Sequence, residues 1–255
     1  MNLITPYMIK TWMANPVQVY QKAVRGELHT PETEMSNEQQ FARLVGRLAA
    51  REDGDSLSKR YAVIDAPSRR VKAWTDQSKD AANRGLIPIM DSQLKLAQAM
   101  AASLQRSKAL ADVEYVTPPT SHAMIGSEGK LVAVEEQLLG EQDTQTYLAA
   151  RPSVYTERGA AVTIRVVDKI DTAGIALKRA QWTLTTAAAA LAAGARNSAY
   201  LTVVEQQEPH CTLTIVVNTS RWEGEIHDAM VDIGRLLDGG DTQVVESFRH
   251  RIIRE

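Results

Sequence analysis

Cysteine is almost missing from this chain. Cys211 is the single one in 255 residues, which excludes an internal disulfide framework and a cysteine zinc cluster and suits a reducing cytoplasm. Long apolar runs are missing too. The longest candidate, "TLTTAAAALAAGA", is Ala-rich, broken by Thr and Gly, and well short of the roughly 18 apolar residues that a membrane-crossing helix needs. The opening "MNLITPYMIKTWMANP" lacks the basic-then-apolar order of a signal peptide. The expected location is therefore the cytoplasm, with no membrane partner. An excess of positive charge is also lacking: 29 Lys and Arg face 31 Asp and Glu, a formal net charge of −2. Any nucleic-acid contact then needs a local basic patch rather than a global field. Gly-rich phosphate loops, Ser-His-Asp arrangements, zinc-ligand spacings, repeats and low-complexity tails are all absent.

What is present is ordinary for a globular protein, with 44% hydrophobic and 24% charged residues. The length is enough for one large domain, expected to span 1–255. Residues 1–112 read as mainly helical and 113–255 as an α/β core. Thr5-Pro6 starts a helix, since Thr caps well and Pro suits the first helical position; Pro16 interrupts or restarts it. Ile9, Trp12 and Met13 are expected on one face. Ser36 to Ala50 forms a helix with Phe41, Leu44, Val45 and Leu48 three and four apart. "KRYAVID" (59–65) alternates like a strand, and Asp91 to Leu110 reads as a helix with Leu94, Ala97, Ala101 and Leu104 on one side.

Three strand candidates follow: "VEYVTPP" (113–119), "GKLVAVEEQLL" (129–139) and "AAVTIRVVDKI" (160–170). "TYLAARPSVYTERG" reads as loop or partial strand. Residues 173–193 turn helical, with Gly194 as the stop. "AYLTVVEQQEPHCTLTIVVN" reads as two strands turning at Glu208-Pro209. The last helix carries the apolar stripe Trp222, Ile226, Met230, Ile233 and Leu237, with Ser220 and Glu223 as a capping box and Gly239-Gly240 as its end. Helices, strands, helix, strands, helix is the order of an α/β fold with a helical N-terminal elaboration.

Several stretches together resemble the exodeoxyribonuclease VIII family of phage and prophage exonucleases. "ITPYMIKTWMANPVQVY" is similar to that family's opening helix. "KRYAVIDAPSRRVKAWTDQSKDAANRG" with "MDSQLKLAQAMAASL" resembles its "R-R-T-K-A-W" segment and the helix after it. "AYLTVVEQQEPHCTLTIVV" resembles its late hairpin. The resemblance implies a PD-(D/E)XK (restriction-endonuclease-like) core with a mixed central sheet. It also implies Mg²⁺ held by carboxylates on adjacent strands, and a Lys two residues after an acidic ligand, on the same side of its strand. A His on the first core helix and a Gln with a Tyr on the later helix complete that family's centre.

Carried over residue by residue, those places are mostly vacated. The expected His falls at or near Gly46, and only Glu135 or Glu136 stands where the first Asp belongs. In "TIRVVDKIDTAG" (163–174), Val166 takes the Asp place and Asp168 the Lys place; shifted by two, Asp168 becomes the ligand and Ile170 stands for the Lys. The Gln and Tyr places fall near Ala187 and Leu191. The strand reads as a nuclease strand whose chemistry has been removed.

The candidate catalytic residues are therefore Asp168, Lys169 and Glu136, vestigial under this reading, with Glu136 and Asp168 as metal ligands only if the protein is active. The alternative for Asp168 is a solvated carboxylate paired with Lys169 or Arg165. Glu135 and Glu136 are strand neighbours, so only one can face a given site. Lys59, Arg60, Arg69, Arg70 and Lys72, with Trp74 nearby, are the candidate phosphate contacts, against an ordinary solvated face. His29 is a loop histidine; His210 and Cys211 point to opposite faces; His227 lies on the polar side of the last helix; Trp12, Trp182 and Trp222 read as core or interface. Three functions stay open. The first is a catalytically inactive pseudo-nuclease, expected to need no cofactor. It would bind double-stranded DNA or a phage or host protein partner in recombination, replication or host-defence antagonism. The second is an active Mg²⁺-dependent double-strand DNA exonuclease with a rearranged site. The third is a structural protein, a homo-oligomer in which small residues of "TTAAAALAAGA" allow close helix approach.

Overall fold

The structure is a computed structural model and describes residues 2–25, 37–49, 91–106, 115–116, 118, 120–135, 139, 146–195, 198–208 and 212–238. It is a mixed α/β fold with two mixed sheets. The elements in chain order are β1 (Asn2–Ile4), α1 (Pro6–Ala14), α2 (Pro16–Val24), α3 (Asn37–Ala49), α4 (Asp91–Leu104), β2 (Tyr115–Val116), β3 (His122–Ile125), β4 (Leu131–Val134), β5 (Thr146–Ala149), β6 (Val154–Thr156), β7 (Ala161–Val167), α5 (Thr172–Ala192), β8 (Ala199–Glu205), β9 (Thr212–Val217) and α6 (Thr219–Leu237).

The N-terminal helices begin where the chain chemistry says they should. Thr5 Oγ1 accepts from Met8 N at 3.4 Å with Pro6 at the first position, and Asn15 Oδ1 accepts from Gln18 N at 3.1 Å to restart the chain as α2 behind Pro16. Ile9 and Trp12 are buried, whereas Met13 is 44% exposed; one residue beyond Trp12 turns it about 100° around the helix, off the buried face.

The five-stranded sheet runs β2-β6-β7-β8-β9. Its centre is the parallel pair β7 and β8, in register from Ala161↔Ala199 to Val167↔Glu205 and joined by the crossover helix α5. Antiparallel hairpins flank it, β6 with β7 and β8 with β9. Strand alternation separates two cores. Val162, Ile164 and Val204 join Ala42, Leu44, Val45, Ala97, Met100 and Leu104 under α3 and α4. Ala161, Leu201 and Val203 face the opposite core with the alanines of α5. The central sheet is thus covered by helices on both faces.

α5 is the pivot of the molecule. Ala187 to Ala193 are all buried, and the helix packs on β7 and β8 on one side and on β3, β4 and β5 on the other. Small side chains let two sheets approach one helix, so the Ala-rich run closes the core of the fold. It ends as expected at Gly194, whose φ is +75°. Gly194 N donates to Leu191 O at 3.1 Å and Ala195 N to Ala190 O at 2.8 Å, satisfying the last carbonyls.

The four-stranded sheet is ordered β1-β5-β3-β4. α6 crosses one end of it. Glu223 Oε1 accepts from Leu131 N of β4 at 3.0 Å, Gly234 lies against Thr146 of β5, and Asn2 Nδ2 of β1 donates to Asp238 Oδ1 at 2.6 Å. The capping box expected from Ser220 and Glu223 is not formed. Asn218 is the cap, accepting from Ser220 N at 3.1 Å. The helix therefore starts two residues earlier than a Ser220 cap would set it, Glu223 is too far along to reach back, and its carboxylate ties α6 to β4 instead.

Candidate functional site

The charged stretch of 163–174 sits at the carboxyl end of β7, where parallel strands of an open sheet feed a crossover helix and ligands commonly bind. Its four charged side chains have separate fates. Arg165 turns to α5, and its Nη2 donates to Thr185 Oγ1 at 3.0 Å. Asp171 is the N-cap of α5: Oδ1 accepts from Ala173 N at 3.1 Å and Oδ2 from Gly174 N at 2.9 Å, placing negative charge at the positive end of the helix. Asp168 and Lys169 are both exposed.

The backbone around them is held firmly. Gln206 N donates to Val167 O at 2.8 Å and Gln207 N to Asp168 O at 3.3 Å, carrying β7–β8 pairing past the strand ends. Glu205, 5% exposed, accepts from Ile170 N at 2.9 Å. This carboxylate was not singled out by the sequence, where it is the last residue of the apolar run "AYLTVVE". The signal was there: a carboxylate closing a β-branched run is buried only if something pairs with it.

Glu135 is exposed and follows β4 in the four-stranded sheet, while Asp168 follows β7 in the five-stranded sheet. The strand neighbours of β7 are β6 and β8, so Glu135 and Asp168 are not on adjacent strands. Glu136 lies outside the described residues. Among the described residues, no group of three or more His, Cys, Asp or Glu side chains could hold a metal ion. Asp168 is solvated, and the nearest strand-end carboxylate, Glu205, is engaged with a backbone amide. A hard divalent cation wants several convergent oxygens, and these two do not fit that demand.

The places that the family resemblance gives to catalytic groups hold packing residues. At Gly46 an added Cβ would collide with Val154 Cγ2 and come within 2.8 Å of Ile164 Cδ1; α3 touches the sheet there, with no room for any side chain. Ala187 and Leu191 are 0% and 2% exposed. Val166 packs on the α3–α4 core and Ile170 on the α5 core.

Elsewhere, Trp12 is buried, and Trp182 and Trp222 are half-buried against the same core, as their apolar stripes imply. Lys178 Nζ lies 6.0 Å from the Trp182 ring centre and Arg221 lies 5.7 Å from that of Trp222. His227 is half-buried, its Nδ1 3.1 Å from Asp228 Oδ1. His29, Lys59, Arg60, Arg69, Arg70, Lys72, Trp74, His210 and Cys211 lie outside the described residues. No helix among the described residues is long and apolar enough to cross a membrane. No protein-family model, curated protein or solved structure matches this chain.

Proposed function

We propose that this chain is a catalytically inactive relative of the exodeoxyribonuclease VIII-like PD-(D/E)XK nucleases that binds duplex DNA without cutting it. The observation that carries this reading is what fills the catalytic places. A glycine with no space for a side chain stands for the His, and two buried apolar residues stand for the Gln and Tyr. A mixed sheet covered by helices on both faces is what such a core requires. The acid–lysine spacing is lost in either register, Val166 with Asp168 or Asp168 with Ile170; Asp168 and the adjacent Lys169 are solvated, and among the described residues no group of three or more His, Cys, Asp or Glu side chains could hold a metal ion.

What is left for DNA is the sugar–phosphate backbone, contacted by cations without reading sequence. The basic segment with Lys59, Arg60, Arg69, Arg70 and Lys72 supplies them under this reading. The test is titration of a labelled blunt duplex at rising salt, with the DNA analysed for length afterwards. Salt-sensitive binding of DNA that stays full length is expected; shortened DNA or absent binding at low salt overturns the reading.

A further inference from the structure

α5 carries no carboxylate in its 21 residues, in a chain where acids outnumber bases. Its alanine half is buried between the sheets, but its first half emerges, with Ala173, Ala176, Lys178, Arg179, Ala180 and Gln181 exposed. Lys178, Trp182 and Thr185 follow the i, i+4, i+7 spacing of a single helical stripe. Lys178 Nζ sits 6.0 Å from the Trp182 ring centre, and Thr185 Oγ1 receives Arg165 Nη2 at 3.0 Å. Two cations thus bracket an indole along roughly 10 Å of helix, with Arg179 one residue further round.

Among the described residues Lys178 and Arg179 form no ion pair, and the one acid in line with them, Asp171, sits seven residues before Lys178 at the helix start. Asp171 is held by the Ala173 and Gly174 amides at the helix start, and Glu205 is buried on the Ile170 amide. Asp168 is offset by its neighbour Lys169, both exposed. An acid-free helix face with cations around an aromatic ring is suited to phosphates, whose contacts need positive charge and no base-edge geometry. We infer that the exposed half of α5, through Lys178 and Arg179 with Arg165 behind them, is a phosphate-backbone contact face for duplex DNA. This rests on the DNA-binding reading above and adds a second face to the basic segment of residues 59–72.

The experiment is fluorescence anisotropy with a labelled blunt duplex over a NaCl series, using the full chain. It compares the unaltered protein, Lys178→Glu/Arg179→Glu, the milder Lys178→Gln/Arg179→Gln, and Lys130→Glu as a control on the β3–β4 turn, where Lys130 is exposed and 3.6 Å from Glu128. Circular dichroism verifies that each is folded. Both α5 variants are expected to bind at least tenfold more weakly, with the plot of log K against log salt shallower by about two; the control keeps its affinity and slope. If the unaltered protein binds and the α5 variants match it in affinity and slope, this face is wrong while the DNA-binding reading stands. A loss as large in the control also contradicts this face, because it makes the effect one of overall charge. Failure of the unaltered protein to bind sinks both.

Discussion

The carboxylate of Glu205 accepts the backbone amide of Ile170 at 2.9 Å, joining the end of β8 to the turn that leads from β7 into α5. An acid at the carboxyl end of a central parallel strand here holds the backbone of a turn. Removing it in Glu205→Ala orphans a donor, since Ile170 N has no strand partner in that turn. The expected loss is about 1–3 kcal/mol of unfolding free energy, read from urea midpoints. Glu205→Gln keeps an acceptor and should lose clearly less; equal losses in the two variants would contradict the hydrogen-bond account.

Gly46 sets how closely α3 lies on the sheet, because any Cβ there meets Val154 and Ile164. Alanine in mid-helix normally gains about 1 kcal/mol over glycine. Here overpacking of about 1–3 kcal/mol should offset or exceed that gain, so Gly46→Ala is expected to lower the melting temperature rather than raise it. Gly46→His, which restores the residue type of the family resemblance, should be much worse. A stable, well-folded Gly46→His variant would mean that the helix can lift off the sheet and that the place is still usable.

At the start of α6 two assignments compete, a Ser220–Glu223 capping box and the observed Asn218 cap with Glu223 on Leu131 N. Asn218→Ala should cost about 0.5–2 kcal/mol. Glu223→Ala should also destabilise, by detaching α6 from β4, while Ser220→Ala should be near neutral. Chemical denaturation of the three variants decides it, and a large Ser220→Ala effect would favour the box.

Asp168 and Lys169 are solvated residues of the β7–α5 turn. Changing either to Ala should alter stability by no more than about 0.5 kcal/mol, and duplex DNA is expected to stay uncut with both variants and with the unaltered protein. A variant that changes a cleavage rate would show that the exposed pair still performs chemistry.

Much of this was legible in the sequence because it is local. The β-branched run around Ile164 makes β7, Thr5-Pro6 and Asn15-Pro16 start helices, and Gly194 stops α5. What escaped depends on partners far along the chain. β1 is a three-residue strand whose only signature is its pairing with β5 at Asn2↔Thr146. β3 falls between the strand candidates 113–119 and 129–139 and exists through β4 and β5 on either side. "TYLAARPSVYTERG" became two strands, β5 and β6, placed in different sheets. Glu223 and Glu205 have partners, Leu131 N and Ile170 N, that no local spacing points to. That the places which the family resemblance gives to catalytic groups hold other residue types was readable by comparison of residue types. That Gly46 is sterically closed and Ala187 and Leu191 are sealed in the core follows only from packing.

The most direct measurement is digestion of end-labelled linear duplex and closed circular DNA, with the protein in high molar excess and Mg²⁺, Mn²⁺ or EDTA present. The account predicts that both DNAs stay intact under all three conditions while the linear duplex is bound. Metal-dependent loss of the linear DNA alone would contradict it and establish an active exonuclease.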